Sequence, residues 1–275
     1  DRKYQQEISA GALGSVSLQL NSFNKISVKS ILNINSSNSV SQRNGEDFSR
    51  QDQLKGSEFT FKQNTFFTVQ ANGEHRLIKP LTFKWYGAFN ILDGHIPDQR
   101  RILYSKEAGT QHPYRLLISN TLSQQSGSRI YQSLSDYIYT AGGDLSYKFK
   151  WLEQNQTLKG GYMLQVKDRL YDAKLFANYL PLDNDALRLL PADQIFLPEN
   201  FGDGTANKFA FDAIKGNTFR YLANTILNAG FLQLDNEFTK NLRVVWGLRV
   251  ENYDQLVGSV KQSDPRHTRT QVTDF

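Results

Sequence analysis

A strict alternation of residue types between positions 221 and 253 constrains the fold more than any other feature of the sequence. In its second half, one set of alternate positions is apolar: Leu242, Val244, Trp246, Leu248 and Val250. The positions between them carry Arg243, Val245, Gly247, Arg249 and Glu251. Successive side chains of a β-strand point to opposite sides, so this period of two predicts two long strands with one apolar face. A tight polar turn at 235–241 joins them.

The same alternation recurs along the chain and predicts an all-β fold of about eight antiparallel strands. The segments that carry it are 8–20, 26–35, 59–70, 81–91, 131–149, 158–167, 221–232 and 242–256. These predicted strands are longer than the roughly five or six residues of a typical strand.

The connections between the predicted strands alternate in length. Short polar turns are expected at 21–25, 72–79, 150–156 and 235–241, all at one end of the sheet, and long loops at 41–57, 93–128 and 168–217. Short turns at one end and long loops at the other are typical of bacterial outer-membrane β-barrels. A soluble β-sandwich produces the same alternation, with core and solvent in place of lipid and lumen.

Composition excludes several classes of protein. The 275 residues have a mean hydropathy of −0.53 and contain no cysteine, which excludes disulfides and thiol catalysis. No apolar run reaches the about 18 residues of a transmembrane helix. The net charge of +5 is spread along the chain, so no nucleic-acid partner is expected. The first residues lack an apolar signal segment, so we expect a cytoplasmic protein, or a mature or internal segment.

Candidate chemical groups are few, and the chain is not expected to be an enzyme. None of the four histidines lies in a metalloprotease or nucleophile-elbow motif. Oxygen-rich residues in the third long loop, Asp183, Asp185 and Asp203, form a weak calcium candidate and suit ordinary turns equally well. No other metal or cofactor is expected.

Two further features belong to the long loops. Arg100 and Arg101 are candidates for contact with a ligand or with lipopolysaccharide phosphate, and a plain surface-charge role remains open. The third loop contains apparent helical turns at 171–180 and 184–190 and is expected to fold over the barrel mouth.

Several motifs resemble those of TonB-dependent outer-membrane receptors. "AGFLQLDNEF" (229–238) followed by "LRVVWGLRVENY" (242–253) is similar to the mid-barrel pattern of that family. "HIPDQRRILY" (95–104) and "IFLPENFG" (195–202) resemble loop motifs of the subgroup that often carries a carboxypeptidase-regulatory-like domain. The resemblance implies a bacterial outer-membrane barrel of about 22 strands that surrounds a plug domain. It also implies contact with TonB and import of a ligand that is not chemically changed.

With eight strand signals and no plug, residues 1–275 are expected to be part of one barrel domain, roughly the first half of its wall. The first and last strands should then be open edges that do not pair with each other. Two alternatives remain open. One is a complete eight-stranded outer-membrane anchor or adhesin, and the other is a soluble carbohydrate-binding β-sandwich.

The barrel interpretation assigns side chains to two environments. Expected to face lipid are Phe83, Trp85, Phe89, Leu164, Phe231, Trp246 and Leu248. Expected to face the lumen are Lys84, Lys159, Asn228, Arg243 and Arg249. A charge on the lipid face at mid-depth costs about 2–4 kcal/mol, which favours this division. Outer-membrane lipid, lipopolysaccharide, the plug and TonB are the expected partners, together with an imported ligand whose identity the sequence does not specify.

Overall fold

The structure is a computed structural model of the 275-residue chain. It describes all residues except Leu152, 203–206, 217–218, Lys240, 262–263 and Phe275, and for 260–275 it describes the backbone alone.

The described chain is all-β. Its strands are β1 (Arg2–Asn21), β2 (Asn24–Asp47), β3 (Asp52–Ile78), β4 (Leu81–Glu107), β5 (Arg115–Leu116), β6 (Ser128–Trp151), β7 (Gln154–Tyr179), β8 (Ala210–Ile214), β9 (Arg220–Thr239), β10 (Leu242–Lys261) and β11 (Asp264–Asp274). One short α-helix, α1 (Asp185–Arg188), and one 3-10 turn, Pro198–Asn200, lie between β7 and β8. No helix in the described part of the chain is both long and apolar enough to cross a membrane.

All the strands belong to one antiparallel sheet with the order β1-β2-β3-β4-β6-β7-β9-β10-β11, while β5 and β8 are short additions to β4 and β7. In the described pairings β1 contacts only β2, and β11 contacts only β10, so the sheet is not closed into a barrel. The eight expected strands are all present, and their first and last members do not pair with each other. Strand β11 was not expected.

The four short turns connect the strand pairs that the sequence predicted, but the strands reach further into them: β3 continues to Ile78, so the turn expected at 72–79 is reduced to residues 79–80. Strands β1–β2, β3–β4, β6–β7 and β9–β10 each join through a short turn, and the register brings these four turns to one end of the sheet. We call it the short-turn end and the opposite one the long-loop end.

The long loops are shorter than the sequence analysis predicted, because the strands extend into them. Strands β2 and β3 stay paired from Gln42↔Ser57 to Asp47↔Asp52, so only residues 48–51 connect them. Similarly, β4 continues to Glu107 and β7 to Tyr179, which places 95–104 and 171–179 in strands, where a helical turn was expected over 171–180. The outer segments 42–57 and 95–104 carry polar residues on both faces, so they lack the alternation that marks a half-buried strand. Segment 171–179 does alternate, with Ala173, Leu175 and Ala177 buried on one side. The expected helical turn at 184–190 is confirmed by α1.

A β-bulge interrupts β4 just before the two candidate arginines. Between the pairs Ile96↔Gln132 and Gln99↔Ile130, β4 advances by three residues while β6 advances by two. Pro97 lies within the bulge, where its missing N–H does not remove a hydrogen bond between the strands. The added residue exchanges the two faces of β4 beyond this point.

Directly paired residues of an antiparallel sheet point to the same side, so the register defines two faces. The apolar face contains Phe83, Trp85, Phe89, Leu145, Tyr162, Leu164, Leu232, Leu234, Trp246 and Leu248. The polar face contains Lys84, Asp136, Asp144, Lys159, Lys167, Arg169, Asp235, Arg243, Arg249 and Glu251.

The expected grouping is wrong at two positions of β9. Phe231 is paired with Arg249 on the polar face, whereas Asn228 is paired with Leu164 on the apolar face. The reason is that β9 carries apolar residues at both alternations, so its sequence does not reveal which set matches the apolar set of β10. The Lys159 ammonium lies 5.5 Å from the centre of the Phe231 ring, and the Tyr162 hydroxyl donates to Asn228 Oδ1 at 2.5 Å.

A conventional core exists only at the long-loop end among the described residues. Its members are Leu116, Ile118, Leu180, Ile195 and Phe209, all at most 9% exposed. Parts of β4 and of the segment between β7 and β8 pack against this cluster, among them Ile102, Tyr104, Phe196 and Phe201. The third long loop is therefore a folded unit, which we call the cap (residues 180–214, without 203–206).

Candidate functional site

The outer end of β4 brings the two candidate arginines to opposite sides of the sheet. Arg100 is paired with Phe59 and Arg129, which share the side of the apolar face. Arg101 is paired with Glu58 and Ser128 on the side of the polar face. Both lie in a strand, so their expected position in a loop was wrong.

Arg100 belongs to an ion-pair group centred on Asp98 in the bulge. The Arg129 guanidinium donates to both Asp98 carboxylate oxygens, at 3.1 and 2.7 Å. Arg100 Nε lies 3.0 Å from Asp98 Oδ2, and the Arg100 side chain is still 63% exposed. The hydrogen bonds that Arg129 donates to Asp98 raise the pKa of Arg129, so its charge is fixed.

Arg101 is neutralised separately. Its Nε donates to Glu58 Oε2 at 2.7 Å, and Gln99 Nε2 donates to the other Glu58 oxygen at 2.6 Å. Both oxygens of this carboxylate are therefore occupied, and Arg101 contributes little free charge.

A cavity of about 700 Å³ opens beside these arginines. Its aromatic wall comes from β3 and from the cap, including β8: Phe59, Phe196, Phe201 and Phe211. Phe196 packs edge-on against buried Phe209 with ring centres 5.3 Å apart, and Phe211 stacks on Phe176 at the same distance. We call it the arginine–phenylalanine cavity. Its volume and its few polar groups are typical of a small-molecule site.

The cap is held against β4 by a partly buried phenol. The Tyr104 hydroxyl donates to the carbonyl oxygen of Leu190 at 2.9 Å. Burial, assisted by the charge of Asp193, raises the pKa of Tyr104 to about 12. The phenol therefore stays neutral at physiological pH.

The calcium candidate meets cations of the protein itself. Asp183 Oδ1 lies 2.9 Å from Arg188 Nε, and Asp185 is ion-paired with Arg115. Asp203 lies outside the described residues. The rest of the described chain contains no group of three or more potential metal-ligating side chains. The described carboxylates of this candidate already neutralise arginines, which makes them poor calcium ligands.

The polar face carries a series of ion pairs. Lys84 Nζ lies 3.2 Å from Glu74, Lys159 Nζ 3.4 Å from Asp144, Arg243 Nε 2.7 Å from Asp235 and Arg249 Nε 2.6 Å from Glu251. Asp136, which is 0% exposed, binds both Arg169 and Lys167. The charged residues that alternation assigned to one side therefore do meet there, with acidic partners that the sequence analysis had not singled out.

Arg129 and Asp98 complete the site, and sequence reasoning missed both. Pro97 inside an otherwise regular strand is the one available signal, because proline in a strand marks a bulge or an edge. Nothing local connects Arg129 with Asp98, since they meet only through the β4–β6 register. No protein-family model matches the chain, and no curated protein matches its sequence.

Proposed function

We propose that the chain is part of the barrel wall of a bacterial outer-membrane, TonB-dependent receptor. On this proposal the parent protein binds a ligand at its long-loop end and imports it unchanged with energy transmitted by TonB. The motif resemblance motivates the family, and one structural observation carries the membrane placement. That observation is a continuous uncharged band across the apolar face.

The band has the height of a bilayer. In β4 the apolar-face positions from Leu81 to Ile91 are uncharged, and the first charge on that face is Asp93. In β7 the band covers 158–166 and ends before Asp168, and in β10 it covers 244–252 and ends before Asp254. Such lengths match the about 9–11 residues with which a tilted strand crosses a membrane.

Two tryptophans lie in this band close to the short-turn end. Trp85 Nε1 donates to His75 Nε2 at 3.0 Å, and Trp246 Nε1 donates to Asn236 Oδ1 at 2.9 Å. In both hairpins the ring remains on the apolar face while its N–H binds a polar residue of the preceding strand. Rings that are apolar on one side and hydrogen-bonded on the other are typical of the aromatic girdle at a membrane surface.

The polar face suits a water-filled lumen that contacts a plug, because its charges are paired and several remain exposed, such as Lys84 and Arg243. The open edges at β1 and β11 favour further strands in the parent protein over a complete small barrel, since an unpaired edge is not tolerated in lipid. A soluble sandwich needs a second layer over the apolar face, and no described element covers Trp246 or Leu248, which are 60% and 72% exposed.

Cysteine labelling tests the membrane placement cleanly, because the chain has no cysteine of its own. Leu248→Cys and Arg249→Cys place adjacent thiols on opposite faces. In whole cells or membranes, position 248 should react with a lipid-soluble maleimide and position 249 with a water-soluble one. Equal reaction of both thiols with the water-soluble reagent contradicts the proposal.

The proposed transport role requires a separate experiment. A strain without this protein and a strain without TonB should lose uptake of the same compound in a nutrient screen. Import that survives loss of TonB contradicts the receptor assignment and leaves the membrane placement intact.

A further inference from the structure

We propose that the arginine–phenylalanine cavity binds a small anion that carries a flat apolar ring, such as an aromatic carboxylate, with Arg100 as the anion-binding residue. This inference rests on the proposed receptor function and specifies the chemistry of a ligand held at the long-loop end, on the side of the apolar face.

The charge balance of the cavity identifies the anion. On the Arg100 side of the sheet, two guanidinium groups share one carboxylate, that of Asp98. Arg129 takes both oxygens of that carboxylate, so Arg100 keeps most of its donors free. None of the described residues that line the cavity is acidic. A carboxylate or similar anion restores the balance by a charge-assisted hydrogen bond to Arg100.

The aromatic wall selects the remainder of the ligand. Phe196 and Phe201 pack against the buried Phe209 of the cap core, at ring separations of 5.3 and 6.0 Å. Gly127, in the left-handed conformation at φ 70°, fits beneath Phe196, and a Cβ there would lie 3.1 Å from its ring. The wall is therefore preformed. It offers flat apolar surface to which an aromatic ring stacks favourably.

The height of the cavity argues against a lipid headgroup as the anion. Arg100 is paired with Arg129, which lies eight residues beyond Tyr137, the partner of Ile91 at the end of the apolar band in β4. Eight residues span about 26 Å along a strand, or about 20 Å of height at a tilt of about 40°. The headgroup layer is only about 5–8 Å thick on each side. A phospholipid headgroup does not reach this height, and the flat aromatic wall favours a soluble ligand with a ring over a lipopolysaccharide phosphate.

Two matched probes test the inference. The purified protein that carries this chain is placed in lipid nanodiscs, with empty nanodiscs as the blank, and titrated calorimetrically with 2-naphthoate and with neutral 2-naphthamide. Naphthoate should bind about tenfold or more tightly than naphthamide, as expected for one added charged hydrogen bond. Equal affinities for the two compounds overturn the proposal.

Variants assign the effect to residues. Arg100→Gln, at a 63% exposed side chain, should weaken naphthoate binding about tenfold and leave naphthamide binding unchanged. Asp98→Asn should tighten naphthoate binding, because it leaves a second cation without a partner. Phe59→Leu should weaken both probes. Arg43→Gln, which removes an equally exposed ion-paired arginine outside the cavity, should change neither.

The possible failures are distinguishable. Unchanged naphthoate affinity in Arg100→Gln overturns the ligand assignment even when thiol labelling places position 248 in lipid. If labelling instead places that position in water, the receptor proposal fails. The same titration in buffer then tests the cavity by itself, and an Arg100-dependent preference for naphthoate supports its ligand class.

Discussion

The two ends of the same long strands are built on different principles. At the long-loop end, Phe209 and Leu116 are at most 1% exposed and form a core beneath the cap. Toward the short-turn end the large apolar residues lie in the open, with Tyr162 53% exposed and Leu248 72% exposed. Small or polar side chains are buried there instead, such as Ala229 at 2% and Gln156 at 3%.

The difference separates an end whose large apolar residues are covered by the protein from an end whose large apolar residues are not. A contiguous apolar surface of this extent is rare on soluble monomers and marks an interaction with a membrane or a partner. The long-loop end has already buried its apolar residues and needs no such cover. We therefore expect substitutions to have different costs at the two ends, and two pairs of variants and one single variant measure the difference.

The largest effect is expected in the cap core. Phe209→Ala removes a ring that is 0% exposed and packs against Phe196 and Phe201. The resulting cavity should lower the free energy of cap opening by about 3–5 kcal/mol. Hydrogen exchange across 180–214 reports this opening, and limited proteolysis should cut the variant within the cap first.

Phe48→Ala is the matched control, since Phe48 is 85% exposed in the turn between β2 and β3. Its effect should stay within about 0.5 kcal/mol. Faster exchange spread over the whole sheet of Phe209→Ala, rather than confined to the cap, would show that the two ends are one cooperative unit.

The second-largest effect is expected for a charge introduced on the apolar face. Leu248→Lys and Val245→Lys introduce the same charge three residues apart in β10, on the apolar and the polar face respectively. Both side chains are exposed, at 72% and 53%, so packing loss is similar. In a bilayer the first should cost about 2–4 kcal/mol. The second places an ammonium near Asp235 and should be close to neutral.

Unfolding of the two variants in lipid vesicles by urea, followed by tryptophan fluorescence, measures the difference. Comparable small losses for both variants would mean that water reaches both faces. The apolar face would then have to be covered by another protein layer.

Alternation made much of the sheet predictable. A period of two gave the eight expected strands, and turn residues gave the four hairpins at the short-turn end. It failed where both faces meet the same environment, as in 95–104, and where both alternations are apolar, as around Phe231. In those segments the register with neighbouring strands decides the outcome, and a single strand's sequence does not contain it.

The candidate site was predictable only in part. Arg100 stood out because two adjacent arginines follow a proline, but the bulge that separates the faces of Arg100 and Arg101 depends on pairing with β6. The aromatic wall comes from residues more than one hundred positions apart, Phe59 and Phe196 among them. Contacts of such sequence separation follow from the fold and not from a local motif.

The smallest effect tests whether the long-loop end excludes water as its core suggests. Tyr104→Phe removes the hydroxyl that donates to Leu190 and should cost about 0.5–1.5 kcal/mol at neutral pH. The pKa of Tyr104 is raised to about 12, whereas an unfolded tyrosine ionises near 10. Only the unfolded phenol ionises between these values, so its contribution to stability is complete below pH 10 and is lost as the pH rises toward 12.

Tyr104→Phe has no hydroxyl to ionise and does not lose stability in this way. The difference in stability between wild type and variant should therefore narrow between pH 10 and pH 12. Exchange of the cap amides measures the gap. The difference in absorbance at 295 nm between wild type and variant isolates Tyr104 from the other tyrosines. A difference titration centred near pH 10 would show a hydrated phenol, and the cap would then resemble the open short-turn end more closely than its core implies.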